Sequence, residues 1–371
     1  MCRSLTHKLK IFFSKIRLKR SIDRLFLDHI YLKTNLMNNK EALCEVLFEK
    51  YKLVPLNYVK TYIDNICMYH LENPLAGLYI ESVLGAPLRQ ENLISTLHNS
   101  GYSVEDKKCL DIGCSDGALL LACQKYDPLQ LVGVDISEGR IKMGRELCKN
   151  TNIELLVLDI LEDSFPKEYG PFDAVFSTDV LEHVASPAIF FRRISEVLSD
   201  QPDSFTYISV YNKFNFMNIQ KEPHYGVPGL ILLPAQEAGE IWYSLRDFMH
   251  SKLDYEIFNW YTYSEYKQMA LECNLKMCPF PDTSIVTVSP DLIRNYTTYI
   301  GKFREETLNQ INEFPFLLMH KKRVIDSVEQ FCLECTAEHE PKLKDKIVEE
   351  DLAYLYRKYY THVFQMIVKH M

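Results

Sequence analysis

The 371-residue sequence contains no long apolar run. Its longest candidates, such as residues 230–233, fall far short of the roughly 18 residues that suggest a membrane span. We therefore expect no transmembrane helix. The chain also shows no internal repeat or low-complexity stretch, and with 47% hydrophobic and 25% charged residues it has a globular composition. Its length favours one catalytic domain with substantial additions, or two domains.

Cysteines at the spacing of a disulfide framework or a zinc site are also missing. The eleven cysteines are scattered, and four of them lie in one predicted α/β unit, at positions 109, 114, 123 and 148. This distribution is typical of reduced thiols and predicts a cytoplasmic protein. Cys332 and Cys335 form a lone CxxC motif without a second pair, which favours packing on a helix face over a zinc or redox role.

Positive charge is scarce outside the first 24 residues. Those residues contain eight Lys or Arg and a single acid, Asp23, so their net charge is +7. Because the whole chain has a net charge of −8, the remaining residues carry −15. An acidic body argues against a broad nucleic-acid surface, because phosphate binding requires accumulated positive charge.

The basic arm itself has an amphipathic pattern over residues 4–20. Leu5, Leu9, Phe12 and Ile16 recur at helical spacing with lysines and arginines between them. Such a helix suits peripheral contact with an anionic membrane. Two alternatives are that the stripe packs on the protein's own body, or that the arm is an organelle-targeting segment.

The segment 107–290 alternates short apolar runs with helical patterns, which predicts a mostly parallel, doubly wound α/β sheet. Predicted strands cover residues 109–112, 131–134, 153–158, 172–176 and 205–210, and residues 275–278 and 284–288 are predicted to pair as a closing hairpin. Helices are predicted to start at Ser137, at Ser186, and at Thr262 with Glu265. Helical regions are expected on either side, at 1–106 and 291–371, where they cover the cleft or form a homodimer face.

The first strand leads into a glycine turn in the stretch KKCLDIGCSDGALLLACQ, residues 107–124. A dinucleotide fingerprint requires G-x-G-x-x-G, but Ser115 and Ala118 stand where the second and third glycines belong. Acids also follow the predicted strand ends, at Asp111, Asp116, Asp135, Asp159, Asp179 and Glu182. This ring would repel a pyrophosphate and attract a ligand that carries a sulfonium, an ammonium and a ribose.

Four motifs then resemble those of class I S-adenosylmethionine-dependent methyltransferases. They are LDIGCSDG, LVGVDIS, LVLDIL and FDAVFSTDVLEHV, in that order, and the last is similar to the form in ubiquinone-pathway and related small-molecule O-methyltransferases. The resemblance implies a Rossmann-like seven-stranded sheet with helical N- and C-terminal extensions. It also implies that the cofactor-binding residues are Asp111, Gly113, Ser115, Gly117, Asp135, Ile136, Asp159, Ile160 and Thr178. Ser115 departs from the family's usual glycine, and can replace it if its backbone is not forced to positive φ.

The fourth motif also offers candidates for catalysis. In the ubiquinone-pathway enzymes an acid-x-x-Glu-His set at this place is associated with a divalent metal, which implies Mg²⁺ at Asp179, Glu182 and His183. The alternative is that Asp179 caps a helix while its neighbours orient the substrate. His183, or His224 in KEPHYGVPG, is a candidate general base for a hydroxyl.

The resemblance thus predicts an S-adenosylmethionine-dependent methyltransferase that O-methylates a small or lipid-linked molecule. Residues 211–261 are rich in aromatics and are predicted to form a substrate lid, with ordinary core as the alternative. DNA is not an expected substrate, because the fourth motif lacks the Asn/Asp-Pro-Pro-aromatic set that grips a flipped base. A catalytically silent cofactor-binding scaffold and a nicotinamide-dependent oxidoreductase are the competing interpretations.

Overall fold

A computed structural model describes residues 36–38, 40–70, 76–162, 165, 169–246, 253–280, 295–314, 319–343 and 348–371. The backbone divides into two compact units, Met1–Gly85 with Met249–Lys252, and Ala86–Phe248 with Leu253–Met371. The basic arm, residues 4–20, lies outside the described residues, so membrane contact through it stays a prediction. Across the described part of the chain, no helix combines the length and apolar composition needed to cross a bilayer.

The described part of the first unit is helical, as predicted for this region. Its helices are α1 (Lys40–Lys50), α2 (Leu56–Asn65) and α3 (Ala76–Leu84), with a π-helical turn at Ile66–His70. Val59 and Ile63 are completely buried on α2. This unit ends at residue 85, whereas the sequence places the boundary at 106. The difference arises because the next helix packs Ile94 and Leu97 against the sheet of the second unit.

The second unit is built around one seven-stranded sheet. Its strands are β1 (Lys108–Ile112), β2 (Gln130–Asp135), β3 (Ile153–Val157), β4 (Ala174–Thr178), β5 (Phe205–Tyr211), β6 (Leu275–Pro279) and β7 (Val363–His370). Their order is β3-β2-β1-β4-β5-β7-β6, in which β7 runs antiparallel to both neighbours and the other pairings are parallel. The predicted α/β class with a seven-stranded, Rossmann-like sheet is confirmed.

Helices of the second unit flank this sheet. They are α4 (Ala86–Asn99), α5 (Ala118–Cys123), α6 (Glu138–Leu147), α7 (Pro187–Val197), α8 (Phe216–Gln220), α9 (Ala235–Arg246), α10 (Tyr263–Glu272), α11 (Tyr296–Glu313), α12 (Lys321–Leu343) and α13 (Glu349–Leu355). The predicted caps are confirmed. Ser137 and Ser186 accept backbone N–H groups at the starts of α6 and α7, and Thr262 with Glu265 forms the capping box of α10.

Both faces of the sheet are buried, and successive side chains alternate between them. Leu110, Val132 and Val175 belong to one apolar cluster, whereas Cys109 and Leu131 belong to the cluster on the opposite face. This explains why the parallel strands are nearly continuous apolar runs in the sequence. The acids that follow these runs therefore gather at one edge of the sheet, beyond the carboxyl ends of the strands.

The last strand differs from the expectation that residues 291–371 are wholly helical. β7 lies between β5 and β6, with Tyr207 opposite Ile367 and Met277 opposite Val368. The chain therefore leaves the sheet after β6, forms α11 to α13, and returns to complete it. The predicted strand at 284–288 lies outside the described residues. Cys332 and Cys335 are buried on one face of α12, which agrees with a packing role.

Candidate functional site

The turn after β1 is shaped by two glycines. Gly113 has φ of 71°, and a Cβ at this position would lie 2.3 Å from Cγ2 of Val180, in the turn after β4. Gly117 has φ of 79° and stands at the N-cap of α5. A side chain is thus excluded at Gly113 by contact and disfavoured at both positions by conformation. These two predicted residues let the backbone of this turn form a shallow cradle at the sheet edge.

Ser115 corrects one expectation about this turn. Its φ is 52°, in the left-handed region, so its backbone does take the conformation that the usual glycine would take. Ser115 nevertheless completes the turn, because its backbone N–H donates to Oδ2 of Asp135 at 2.9 Å. The serine therefore preserves the geometry at some conformational cost.

Replacing Ser115 by glycine should stabilise the protein. A non-glycine residue in the left-handed region costs about 1 kcal/mol, so Ser115→Gly is expected to raise the free energy of unfolding by roughly 0.5–1 kcal/mol. Urea denaturation measures the change. Ser115→Ala is the matched control, since it removes the hydroxyl but keeps the strained conformation. Equal stability of the two variants would show that conformational strain at position 115 is not the cause.

Asp135 ends β2 and holds two loops together. Its Oδ2 accepts the Ser115 N–H, and its Oδ1 accepts the N–H of Ser137 at 2.8 Å. A carboxylate offers about four lone-pair sites, so each oxygen keeps one for a ligand. The carboxylate is thus fixed in orientation and can still accept two hydrogen bonds from a diol.

Asp111 is the most deeply buried acid of the β1 turn. It is 2% exposed, and its Oδ1 has no hydrogen-bond partner among the described residues. Burial, and then the charges of Asp135 and Asp116, raise the pKa of Asp111. Asp116 also lies in the turn, where its Oδ1 accepts the N–H of Ala118. A cationic donor at this place would satisfy the unpaired oxygen and offset the crowded negative charge.

The remaining predicted cofactor residues lie at the ends of β2, β3 and β4. Ile136 is 73% exposed directly after Asp135. Asp159 uses its Oδ1 to accept the N–H of Leu161, while the Ile160 side chain is buried in the apolar core. Thr178 is half-buried at the last position of β4. Ile136 and Thr178 are thus accessible to a ligand through their side chains, whereas the Ile160 side chain packs in the protein interior.

The turn after β4 separates Asp179 from the other members of the expected metal set. Asp179 has φ of 55°, and its Oδ1 accepts a hydrogen bond from the Ser209 hydroxyl at 3.2 Å. Glu182 is completely buried in a 3₁₀ turn, and His183 follows it. The group of described side chains whose ligand atoms lie within 4.8 Å of one another is Glu182, His183 and His224, without Asp179. Asp179 thus does not meet this distance criterion, and an Mg²⁺ site at Asp179, Glu182 and His183 stays a prediction.

Both histidines of this group are oriented through Nδ1. His183 Nδ1 donates to the backbone oxygen of Glu256 at 3.0 Å, and His224 Nδ1 donates to Oε1 of the buried Glu222 at 3.1 Å. The two rings meet edge to face with centroids 4.9 Å apart. His224 Nε2 lies 3.7 Å from Oε1 of Glu182. His224 Nε2 therefore faces the Glu182 carboxylate, whereas Nδ1 of each ring is occupied by its hydrogen bond.

The environment changes the pKa of each member differently. Burial and then the nearby Asp179 raise the pKa of Glu182 to about 8. Burial and then His224 lower the pKa of His183 to about 4, so this ring is neutral at neutral pH. Burial alone would lower the pKa of His224, but the hydrogen bond and charge of Glu222 outweigh it and raise that pKa. The group therefore contains one neutral imidazole, that of His183. It also contains the Glu182 carboxyl group and the His224 imidazole, which compete for a proton.

Comparison with known proteins agrees with this architecture. Residues 110–201 match the family model described as "Methyltransferase domain". This segment is therefore similar to that domain family. Over 128 residues the chain is 29% identical to a ubiquinone biosynthesis O-methyltransferase of Yersinia enterocolitica, covering 34% of this chain and 50% of that protein. It is also 29% identical to the mitochondrial ubiquinone biosynthesis O-methyltransferase of Dictyostelium discoideum over 120 residues, 30% of this chain and 37% of that protein.

The matches are partial in length. The chain spans half, or less, of these two curated relatives. Among solved structures, PKMT2 from Rickettsia typhi in complex with AdoHcy aligns with 77% of this chain and 52% of its own, at 18% identity and a TM-score of 0.40. The segment that matches the family model, residues 110–201, runs from within β1 through β2, β3 and β4, and includes the glycines of the first turn, Asp135 and His183. His224 and Glu222 lie beyond the methyltransferase domain as matched.

The insertion between β5 and α10, predicted to be a lid, contains both core and site residues. Phe216 is buried against Tyr299, Phe303 and Phe331 of the C-terminal helices. Trp242 is completely buried and donates its indole N–H to the Leu253 oxygen. These aromatics form ordinary core, which was the alternative interpretation.

The part of this insertion that begins at residue 253 contacts the turn after β4, where Glu182 and His183 lie. Phe258 donates its backbone N–H to the oxygen of Glu182 at 3.0 Å, and its side chain is half exposed. The Tyr225 hydroxyl donates to the Asp254 oxygen and accepts the N–H of Glu256. Aromatic residues that contact the cluster or its supports thus include Tyr225 and Phe258, together with Tyr211 and Trp260, whose ring centroids each lie 5.7 Å from that of His224.

Sequence reasoning missed Glu222 and the Glu256 carbonyl. Glu222 is buried, and its carboxylate holds both the ring and the backbone of His224. Its Oε1 accepts from the ring Nδ1, and its Oε2 accepts the backbone N–H groups of His224 and Tyr225. The only sequence signal was its place two residues before the candidate His224, because the neighbouring Gln220 and Lys221 give no hint that Glu222 is buried. The Glu256 carbonyl had no such signal, because a backbone oxygen is not encoded by residue type.

Proposed function

We propose that this chain binds S-adenosylmethionine across the carboxyl ends of β1 and β2 and transfers its methyl group to a hydroxyl oxygen. The unpaired, buried Oδ1 of Asp111 is the observation that carries the proposal, because it lacks a donor where the family resemblance puts the methionine end of the cofactor. The ammonium of that ligand is such a donor. Asp135, with one free lone pair on each oxygen, suits the two ribose hydroxyls.

The other proposed cofactor contacts are assigned from the places of the residues at the carboxyl ends of the strands. Ile136 offers an exposed apolar side chain beside Asp135 and suits one face of the adenine ring. Asp159 and the backbone of Ile160 suit the adenine edge, and Thr178 is proposed to contact the sulfonium end. Gly113 and Gly117 allow the backbone to approach the ligand closely.

Methyl transfer depends more on the alignment of the acceptor oxygen, the methyl carbon and the sulfur than on a strong acid or base. The acceptor oxygen attacks the methyl carbon opposite sulfur, the C–S bond breaks, the O–C bond forms, and the sulfonium becomes a neutral thioether. The hydroxyl proton leaves the acceptor. Holding acceptor and methyl group in line supplies most of the acceleration. The group of Glu182, His183 and His224 offers nitrogen and oxygen atoms that can assist loss of the proton, which favours a hydroxyl acceptor.

The acceptor is proposed to be a small or lipid-linked hydroxyaryl compound. The relatives named for ubiquinone biosynthesis support this class, and the aromatic side chains at the cluster, including the half-exposed Phe258, suit a planar ring. Placement of the protein in the cytoplasm, with peripheral membrane contact through residues 4–20, belongs to the same proposal.

Two competing functions make different predictions. A catalytically silent scaffold would bind S-adenosylmethionine without producing S-adenosylhomocysteine. A nicotinamide-dependent oxidoreductase would bind a pyrophosphate beside Asp111, Asp116 and Asp135, where three acids oppose it. The crowding of acids therefore favours the sulfonium ligand.

The test uses the full chain with S-adenosylmethionine that carries a deuterated methyl group. Acceptors are a dihydroxyaryl compound and its aminoaryl analogue, each with and without a prenyl tail, together with small-molecule and lipid extracts. Mass spectrometry should find S-adenosylhomocysteine and a deuteromethyl ether from the hydroxyl compounds or the extracts, and no product from the amines. Methylated amines would contradict O-transfer, and cofactor binding without any product would favour the scaffold.

A further inference from the structure

Charge is divided along the ligand-binding edge of the sheet. Asp111 lies in β1 and Asp135 ends β2, and further acids follow β4, the neighbour of β1. Cations belong to the next two strands in the sheet. Lys213 comes two residues after β5, and Arg357 comes six residues before β7, whose antiparallel direction brings its start to the end of β5. The edge therefore has an acidic part and a basic part.

The side chain of Asn212 joins the two segments that carry these cations. Its Nδ2 donates to the carbonyls of Arg357 and Lys358 at 3.2 and 2.9 Å. The ring of Phe214 lies beside both segments, since its centroid is 5.0 Å from Nζ of Lys213 and 5.4 Å from Nζ of Lys358. Residues of the two segments thus form one surface.

Lys213 and Arg357 differ from Lys358 in their counter-charges. Nζ of Lys358 lies 2.5 Å from Oε2 of Glu338, so its charge is paired. Within the described part of the chain, Lys213 and Arg357 form neither an ion pair nor a side-chain hydrogen bond. The Arg357 guanidinium instead lies over the Tyr263 ring, 5.9 Å from its centroid. Both cations thus keep N–H donors for a ligand.

Lys213 is the more unusual of the two, because it is half-buried. Burial lowers the pKa of its ammonium, and the charge of Glu265 acts in the opposite direction. That carboxylate is already engaged, since its Oε2 accepts from the N–H and the hydroxyl of Thr262 at 2.6 and 2.7 Å. A partly desolvated cation without a close acid is stabilised when an anion binds beside it.

The basic part of the edge adjoins the histidine cluster. Tyr211 is the last residue of β5, two residues before Lys213. Its ring centroid lies 5.7 Å from that of His224 and 5.7 Å from that of His362, which leads into β7. A molecule with one end at Lys213 therefore has its other end directed to the cluster beside the proposed cofactor site.

We propose that Lys213 and Arg357 bind an anionic group, a carboxylate or a phosphate, carried by the methyl acceptor. A guanidinium can donate two parallel hydrogen bonds to either group, and the ammonium adds a point charge. The acidic part of the edge suits the cationic cofactor, and the basic part suits an anionic acceptor. The role as an acceptor subsite rests on the proposed methyl transfer, but the binding of the anion does not.

Small aromatic anions test the site without any methyl transfer. The full chain is titrated at low ionic strength with benzoate, phenyl phosphate and the neutral benzamide, and ligand-observed NMR gives each Kd. The better of the two anions should bind at least about 10-fold more tightly than benzamide, because only the anions form charge-assisted hydrogen bonds. Whichever anion binds more tightly identifies the group as carboxylate or phosphate.

Matched variants assign the binding residues. Lys213→Gln and Arg357→Gln should each weaken binding of the tighter anion by roughly 10-fold and leave benzamide unchanged. Lys267→Gln is the control, because it removes the same charge from an exposed position of α10. It should bind the anion as the parent chain does. Circular dichroism and S-adenosylmethionine calorimetry on the same samples verify that each variant is folded.

Three results would overturn the inference. They are equal affinity for benzamide and both anions, parent-like anion binding by Lys213→Gln and Arg357→Gln, and an equal loss in Lys267→Gln, which would indicate general attraction. If any of them occurs while S-adenosylmethionine binds normally, the anion site is removed and the proposed function stands. Anion binding as predicted without binding of S-adenosylmethionine would remove the proposed function and leave the anion site.

Discussion

Replacing Asp135 by alanine is expected to weaken S-adenosylmethionine binding by about 1.5–3 kcal/mol, or roughly 10- to 100-fold in Kd. The carboxylate is the proposed acceptor for both ribose hydroxyls, so the variant loses two hydrogen bonds to a charged group. It also leaves the N–H groups of Ser115 and Ser137 without their acceptor, which loosens the cradle itself. Isothermal titration calorimetry measures the affinity directly.

Glu138→Ala is the matched control for Asp135→Ala. Glu138 is exposed at the start of α6, so its removal changes the net charge equally, three residues away. If the ribose contact is the cause, Glu138→Ala binds nearly as the parent chain does. Equal losses in the two variants would point to general electrostatic attraction, and an unchanged Kd in Asp135→Ala would remove Asp135 from the cofactor site.

Replacing Asn212 should cause the largest loss of stability among polar substitutions. Its side chain is completely buried after β5, and its Nδ2 donates to the carbonyls of Arg357, Lys358 and Thr361 at 3.2, 2.9 and 2.8 Å. Its Oδ1 accepts the N–H of Phe214. Asn212→Ala leaves these buried groups unpaired, with an expected cost of about 2–4 kcal/mol in the free energy of unfolding.

Asn212→Asp provides a sharper version of this test. It keeps the acceptor for Phe214 but turns a carboxylate oxygen toward three carbonyl oxygens, so it should be at least as destabilising as Asn212→Ala. Asn259→Ala, at an exposed position of the same insertion, should stay within about 0.5 kcal/mol of the parent chain. Urea denaturation compares the three. Parent-like stability of Asn212→Asp would mean that the amide does not hold the segment leading into β7.

Much of the fold was predictable because its signals are local. The runs before Asp111 and Asp135 are short, apolar and followed by a turn, and each such run is a buried parallel strand. The capping box of Thr262 with Glu265 also lies within four residues. The cofactor-binding candidates lie in, at the end of or shortly after such strands, and their role stays a prediction.

The errors concern contacts between distant segments. β7 pairs with β5 across about 150 residues, and no local pattern shows which apolar run closes the sheet. The position of His224 beside Glu182 and His183 is another such contact, because His224 lies over forty residues away in the sequence. The positive φ of Ser115 likewise depends on the contacts around the turn, which residue type alone does not show.

The acids at the carboxyl ends of the strands are proposed to bind a sulfonium ligand. Calorimetric titration of the full chain with S-adenosylmethionine and, in parallel, with NAD tests it most directly. We predict saturable binding of S-adenosylmethionine to a single site, with no heat of binding for NAD, because Asp111, Asp116 and Asp135 attract the first ligand and repel the pyrophosphate of the second. Binding of NAD with no binding of S-adenosylmethionine would contradict the account.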